Sequence, residues 1–262
     1  MSALKFNTIL TAALALALAS FGCDGLPGQP TEADRYQRPT DILDFETLYG
    51  TNCSGCHGAE GHLGPVRPLN DPLFLAIAGA ANLRKAATHG VAGTAMPAFG
   101  LEAGGVLTPP QINAIVSGMF ERWGDPSLDP SSLPAFSEAD ALAAGGLAGR
   151  AGPGREVFLQ FCAECHGANG RGSETAGAVV DGSYLALTSN QGLRNTVIAG
   201  RTDLGMPDYR SHGDPVHPRV IPPQAISDVV AWLVAQRVRY PGQTYPEGTA
   251  TPPLPAVTEK TP

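Results

Sequence analysis

The chain has 262 residues, enough for one or two ordinary domains, and glycine (32) with proline (24) makes up about a fifth of it. Much of it must be turn, loop or connection. A formal net charge of −7 leaves no basic footprint for nucleic acid, so that class of partner is excluded.

Residues 1–22 read as an export signal. Lys5 gives a positive start, and residues 9–19 are an apolar Leu/Ala run, too short to remain in a bilayer. Two ends are open. Ala17-Leu18-Ala19 is a small-x-small cleavage signal placed before Ser20, whereas Ser20-Phe21-Gly22-Cys23 is similar to a lipobox whose cysteine becomes a lipidated N-terminus. Five cysteines are present, and four pair within motifs, which leaves Cys23 alone ahead of a polar, Pro-rich stretch. A lipid on Cys23 explains both its position and a flexible tether over residues 23–40. The mature protein is then expected on the periplasmic side of the cell membrane.

The rest of the chain is an internal repeat. Cys53-Ser54-Gly55-Cys56-His57-Gly58 recurs as Cys162-Ala163-Glu164-Cys165-His166-Gly167, 109 residues later. Met96-Pro97 recurs as Met206-Pro207, Pro109-Pro110-Gln111 as Pro222-Pro223-Gln224, and Trp123 as Trp232. Helical spacing of Phe45, Leu48, Tyr49 and Asn52 behind a possible Asp44 cap predicts a helix leading into the first motif. Val157, Phe158, Phe161 and Cys162 predict its counterpart, after a Pro153-Gly154 break. Residues 83–89 and 192–199 read as short middle helices. Ile112, Ile115, Val116, Met119, Phe120 and Trp123 mark a closing amphipathic helix, and Ile226, Val229, Val230, Leu233 and Val234 mark its copy. No strand pattern stands out, so the class is all-α. The expected layout is a domain at 41–124, a linker at 125–153 with one helical turn around 138–142, a domain at 154–239, and a disordered Pro-rich tail at 240–262.

Cys-x-x-Cys-His is the attachment signature of c-type haem. Two cysteines on one helical turn present their sulfurs to the two vinyl groups of one haem edge, and the adjacent imidazole points at the iron. Cys53 and Cys56 are thus candidate thioether positions with His57 as proximal ligand, and Cys162, Cys165 and His166 repeat the set, for two haem c in all. A dithiol redox pair or a shared zinc are the rival readings; neither requires the following histidine or the downstream methionine. Met96 and Met206 lie 39 and 40 residues after their histidines, each before a proline. A thioether suits the sixth coordination position and raises the potential. Met119 reads as core. His62, His89, His212 and His217 read as solvated surface groups, with His89 the one substitute axial ligand. Phe45, Tyr49 and Trp123, and in the second copy Phe158, Phe161 and Trp232, are expected to pack where the first and last helices cross.

Each copy, over residues 41–124 and 154–239, resembles class I cytochrome c. That resemblance implies two tandem all-α domains, each with one covalent haem. It also implies that Pro68 offers its carbonyl to the proximal ring N–H; the second copy has Ala178 or Val179 there, which leaves that bond without an assigned acceptor and puts the equality of the two sites in question. Taken whole, the chain is similar to diheme cytochromes c of bacterial respiratory or photosynthetic chains, which work with quinol oxidoreductases, terminal oxidases or small carriers. The expectation is electron transfer without catalysis of its own. A diheme peroxidase is the alternative, with Glu102 and His89, or Asp203 and Asp208, as its acid/base groups.

Overall fold

A computed structural model describes residues 36–213 and 218–238. The chain divides into two units, Met1–Asp41 and Ile42–Pro262. In the first, the described part is a 3-10 turn, Pro39–Asp41, closed by Arg38 Nε on Asp41 at 2.8 Å. Cys23, the signal, the C-terminal tail and His217 lie outside the described residues.

The second unit is helical. Helix α1, Phe45–Asn52, starts where Asp44 accepts the Thr47 N–H at 2.8 Å, the expected cap. The motif then forms one helical turn, α2, Ser54–His57. Helix α3 runs Pro72–His89 with a break at Gly79 (φ 66°, ψ 157°), and α4 runs Pro109–Trp123 behind a Thr108–Gln111 capping box. Next come α5, Glu138–Ala143, α6, Ala151–Phe161, and the second motif turn α7, Ala163–His166. The series ends with α8, Gly182–Leu187, α9, Asn190–Ala199, and α10, Pro223–Ala235. Pairing among the described residues is confined to isolated bridges, so the class is all-α.

The repeat is visible element by element. The two halves of α3 on either side of Gly79 correspond to α8 and α9 on either side of Ser189. Sequence periodicity predicts only 83–89 of the first pair; the half that begins at Pro72 is found in the structure. Burial of Leu73, Phe74, Leu75 and Ile77 makes the earlier half a helix. Helix α6 also starts earlier than the expected break: Pro153 falls in its first turn, where a backbone N–H has no intrahelical acceptor to lose.

The first and last helices of each repeat cross closely, and the two crossings are built in opposite senses. In the first repeat the small residue is on the closing helix: a Cβ on Gly118 would lie 2.2 Å from the Phe45 ring. In the second it is on the opening helix: a Cβ on Gly154 would lie 1.9 Å from the Asp228 carbonyl oxygen. Gly154 stands 109 residues after Phe45, at the same place in the repeat. Phe45, Tyr49 and Trp123 form the expected aromatic group, with ring centroids 5.1–5.5 Å apart. In the second repeat Phe158 meets Trp232 at 4.4 Å, but Phe161 turns away to the ring of His212 at 5.9 Å.

Residues 124–150 are tied down rather than spanning open space. Phe136 and Ala135 present their carbonyls to Gln191 Nε2 at 2.6 Å and Arg194 Nε at 3.0 Å. Leu147 N–H reaches Gln224 Oε1 at 2.9 Å, and Arg150 N–H reaches Asp228 Oδ1 at 2.9 Å. The connection is thereby laid along the second repeat. Among the described residues, no helix is long and apolar enough to cross a membrane.

Candidate haem sites

Each motif is presented the same way. Cys53 and Cys162 end the preceding helix and open the short turn that carries the second cysteine and the histidine. Gly58 (φ 87°) and Gly167 (φ 74°) then stop the turn in a conformation that L side chains rarely adopt. In the first repeat the next segment folds back so closely that a Cβ on Gly58 would lie 1.9 Å from the His62 carbonyl oxygen. Burial pushes the Cys53 thiol up to about 11 and the Cys162 thiol up to about 12, with the partner cysteine adding to both. None of the four is joined in a disulfide. Among the described residues no three His, Cys, Asp or Glu side chains converge as a metal site.

The two motif histidines are both oriented. His57 Nδ1 lies 2.7 Å from the carbonyl oxygen of Arg67, and His166 Nδ1 lies 2.8 Å from that of Gly177. A proton on Nδ1 leaves the Nε2 lone pair for a metal, the tautomer that haem ligation requires. Burial holds the His57 ring below the usual imidazole range, opposed by its bond to Arg67. Two expectations are corrected. The acceptor in the first repeat is Arg67, not Pro68. The proline disfavours the helical region for the residue before it, so the Arg67 carbonyl is set in extended chain. The second repeat does have an acceptor, although no proline follows it. Gly177 supplies it from an open loop where a Cβ would meet nothing. The proximal bond therefore does not distinguish the two sites. A hydroxyl does: Tyr49 donates to the Gly58 carbonyl at 3.0 Å, whereas the equivalent residue is Phe158.

The methionine turns are also duplicated. Helix α3 ends at Gly90 (φ 71°) and α9 at Gly200 (φ 72°). A Cβ on Gly90 would lie 2.7 Å from the Met96 carbonyl oxygen, and one on Gly200 2.6 Å from that of Met206. Val91 N–H and Arg201 N–H donate to those same carbonyls, each at 3.1 Å. The next turn is fixed by Phe99 N–H to the Ala87 carbonyl and Tyr209 N–H to the Ile198 carbonyl. These glycines keep the offset of the methionines, a signal present in the sequence but not used. Both methionines are half-buried. The donor set and its supports fit haem c in both repeats: soft thioether, neutral imidazole and paired thiols on a helical turn.

The acid/base candidates are engaged elsewhere. Asp203 takes a two-pronged bond from Arg201, both contacts at 2.9 Å, which holds its carboxyl below the usual range. At Asp208, burial raises the carboxyl, but bonds from Arg210 outweigh it and hold it low. His89 and Glu102 form an exposed pair at 3.6 Å, and the His89 side chain is 54% exposed. Met119 is core, as expected. His212 is not a surface group. It is 6% exposed, with Nδ1 3.2 Å from the Phe161 carbonyl and Nε2 without a partner among the described residues. Burial lowers its pKa. The reason is the longer loop after Met206, which folds its ring onto Phe161; loop polarity in the sequence carries no sign of this.

The family of cytochrome c oxidase, cbb3-type, subunit III matches residues 40–117 and 149–233. The CcoP subunit of the cbb3-type oxidase of Azospirillum sp. (strain B510) is 30% identical over 165 residues, 57% of this chain and 48% of its own length. That of Azospirillum brasilense is 28% identical over 206 residues, 70% of this chain and 62% of its own length. The chain thus spans about half to three-fifths of these curated relatives. Among solved structures, a chain of the Kuenenia stuttgartiensis reducing HAO-like protein complex is 17% identical. It covers 77% of this chain and 100% of its own length at a TM-score of 0.39, too loose a superposition to argue from. The family match falls in two segments, one around each motif-bearing repeat. The chain is a tandem cytochrome c that binds two haem c, and it belongs to the family of subunit III of cbb3-type cytochrome c oxidase.

Proposed function

We propose that this chain relays electrons one at a time to a cbb3-type terminal oxidase, taking them from a small carrier or a quinol oxidoreductase. The observation that carries this is the duplicated site. Both histidines are tied through Nδ1 to a carbonyl, and both methionine turns are braced on a positive-φ glycine. Sites built to hold two axial ligands rigidly suit electron transfer, not substrate binding. In this reading the repeats at 41–124 and 154–239 each hold one haem. Cys53, Cys56, Cys162 and Cys165 would form the thioethers, and His57 with Met96, and His166 with Met206, would hold the two irons. Haem c supplies a one-electron iron couple, and methionine ligation places it at high potential. The chain's own residues fix ring orientation and close the sixth position. The engaged Asp203 and Asp208 support a carrier over a peroxidase.

The test is spectroscopic. Holoprotein matured in a host competent for cytochrome c should carry two haems per chain, both low-spin, with no rapid carbon monoxide binding. Met96→Ala and Met206→Ala should each open one haem to carbon monoxide. A high-spin, carbon-monoxide-binding haem in the unaltered protein overturns the carrier reading. Localisation follows from Cys23: the mature N-terminus should carry lipid by mass spectrometry, and Cys23→Ser should release the protein from membranes. A mature N-terminus at Ser20 would replace the lipid anchor by simple export.

A further inference from the structure

One side chain passes from the first haem-binding loop into the second. Arg67 is the residue whose carbonyl orients His57. Its guanidinium leaves in the other direction: Nη2 donates to Thr196 Oγ1 at 2.9 Å and to the Gly200 carbonyl at 3.3 Å. Thr196 is itself anchored, its hydroxyl donating to the Gly192 carbonyl at 2.9 Å. Gly200 is the residue against which the Met206–Pro207 turn rests. Backbone and side chain of one residue therefore touch the supports of both sites.

The surroundings hold the guanidinium there. Its side chain is 15% exposed, 3.9 Å from Asp71 Oδ2 and 5.2 Å from the centroid of Phe74. Helices α3 and α9 touch at this place. Arg201, Asp203 and Tyr184 of the second repeat act on the Arg67 charge, and Asp208 and Arg210 on Asp71. Arg67, Arg201 and Arg210 stand against Asp71, Asp203 and Asp208 at the join, and Arg67 Nη1 is buried there without a hydrogen-bond partner among the described residues. The Leu63 N–H of the first repeat adds a small part to holding the Asp203 carboxyl low. Leu63 has φ 60°, the one positive value among described residues other than glycine, and such a conformation persists only where the surroundings enforce it.

We propose that Arg67 is a positioning residue that locks the two repeats together, holding the proximal side of the first haem site and the methionine turn of the second in one fixed arrangement. What it positions rests on the haem reading above; the lock itself does not. The test uses the full-length holoprotein and the variants Arg67→Met, Arg67→Lys and Thr196→Val. Haem content comes first: unaltered protein without two haems would sink the haem reading, separately from this one. Hydrogen exchange and the magnetic dipolar coupling between the oxidised haems then read the lock. Arg67→Met and Thr196→Val should each lose about tenfold in amide protection in both 58–70 and 192–206, and broaden the inter-haem distance. Arg67→Met also removes a buried cation and should lower the second haem's potential; Arg67→Lys keeps the charge and should restore the potential but only part of the protection. If Arg67→Met fails to take up its first haem, Thr196→Val still decides, since it alters nothing in the first repeat. Protection lost from one repeat only, or an unchanged inter-haem distance in Thr196→Val, overturns the proposal.

Discussion

At His57 and His166 the same bond is made from corresponding places in the two repeats, Arg67 and Gly177, one with a proline after the acceptor and one without. Only the position of the carbonyl matters, and residue type signals it weakly. Tyr49 is the sharper difference. Tyr49→Phe keeps the ring, as Phe158 shows it fits, and removes one of the two donors to the Gly58 carbonyl, leaving the Gly61 N–H at 3.1 Å. The expected cost is about 1 kcal/mol, seen as a lower melting temperature with both haems retained. Asp228 gives a pH signature. Burial raises its carboxyl, but donors on Arg150 and Gln224 outweigh that, and its pKa falls below the ordinary value. A depressed folded pKa contributes stability that is present above the unfolded value, about 4, and is lost as pH falls through the folded one. Asp228→Asn should thus melt lower than the unaltered protein at neutral pH. The gap should narrow as the melts are taken down through and below the ordinary carboxylate range.

At the scale of elements, the helix crossings decide whether each repeat closes. The close approach is met by a side-chain ring at Gly118 and by a backbone carbonyl at Gly154. A ring can shift; a carbonyl in a helix cannot. Gly154→Ala should therefore cost more than Gly118→Ala, both within about 1–3 kcal/mol by thermal melting. Phe45→Leu should rescue part of Gly118→Ala, a coupling that a double-mutant cycle measures, and should do nothing for Gly154→Ala. Periodicity in the sequence placed both closing helices, since Ile112 to Trp123 and Ile226 to Val234 each bury one face. It could not show which helix supplies the gap. Neither Gly118 nor Gly154 announces itself, because a glycine inside a helix is marked only by what packs against it.

At the scale of the molecule, the connection between repeats matters most. Arg194, 3% exposed, holds it by donating to the Ala135 carbonyl at 3.0 Å and to Ser227 Oγ at 3.0 Å. Arg194→Met should release it at a cost of about 1–3 kcal/mol, since the Ala135 carbonyl and Ser227 lose a charged donor. Limited proteolysis should then cut within 125–150 before either repeat is attacked. Resistance equal to the unaltered chain would mean that Gln191 and Gln224 suffice. The Pro/Ser/Ala/Gly composition of this stretch had read as a free linker. Its bonds come from main-chain groups, which composition does not reveal.

By itself the sequence determined the chemistry and its duplication. Two Cys-x-x-Cys-His motifs, two Met-Pro pairs and two Trp-bearing closing helices at nearly constant offset require two copies of one haem-binding helical unit. That follows because haem attachment is local: the motif fits on one helical turn, and the amphipathic stripe on one helix. The tertiary structure decided what depends on residues distant in the chain. It chose the Arg67 and Gly177 carbonyls as the acceptors that orient the two histidines, buried His212, set glycine on opposite helices in the two crossings, and joined the repeats through Arg67, Thr196 and Gly200. These contacts join segments from ten to more than a hundred residues apart and leave no periodic trace, so only folding brings them into view.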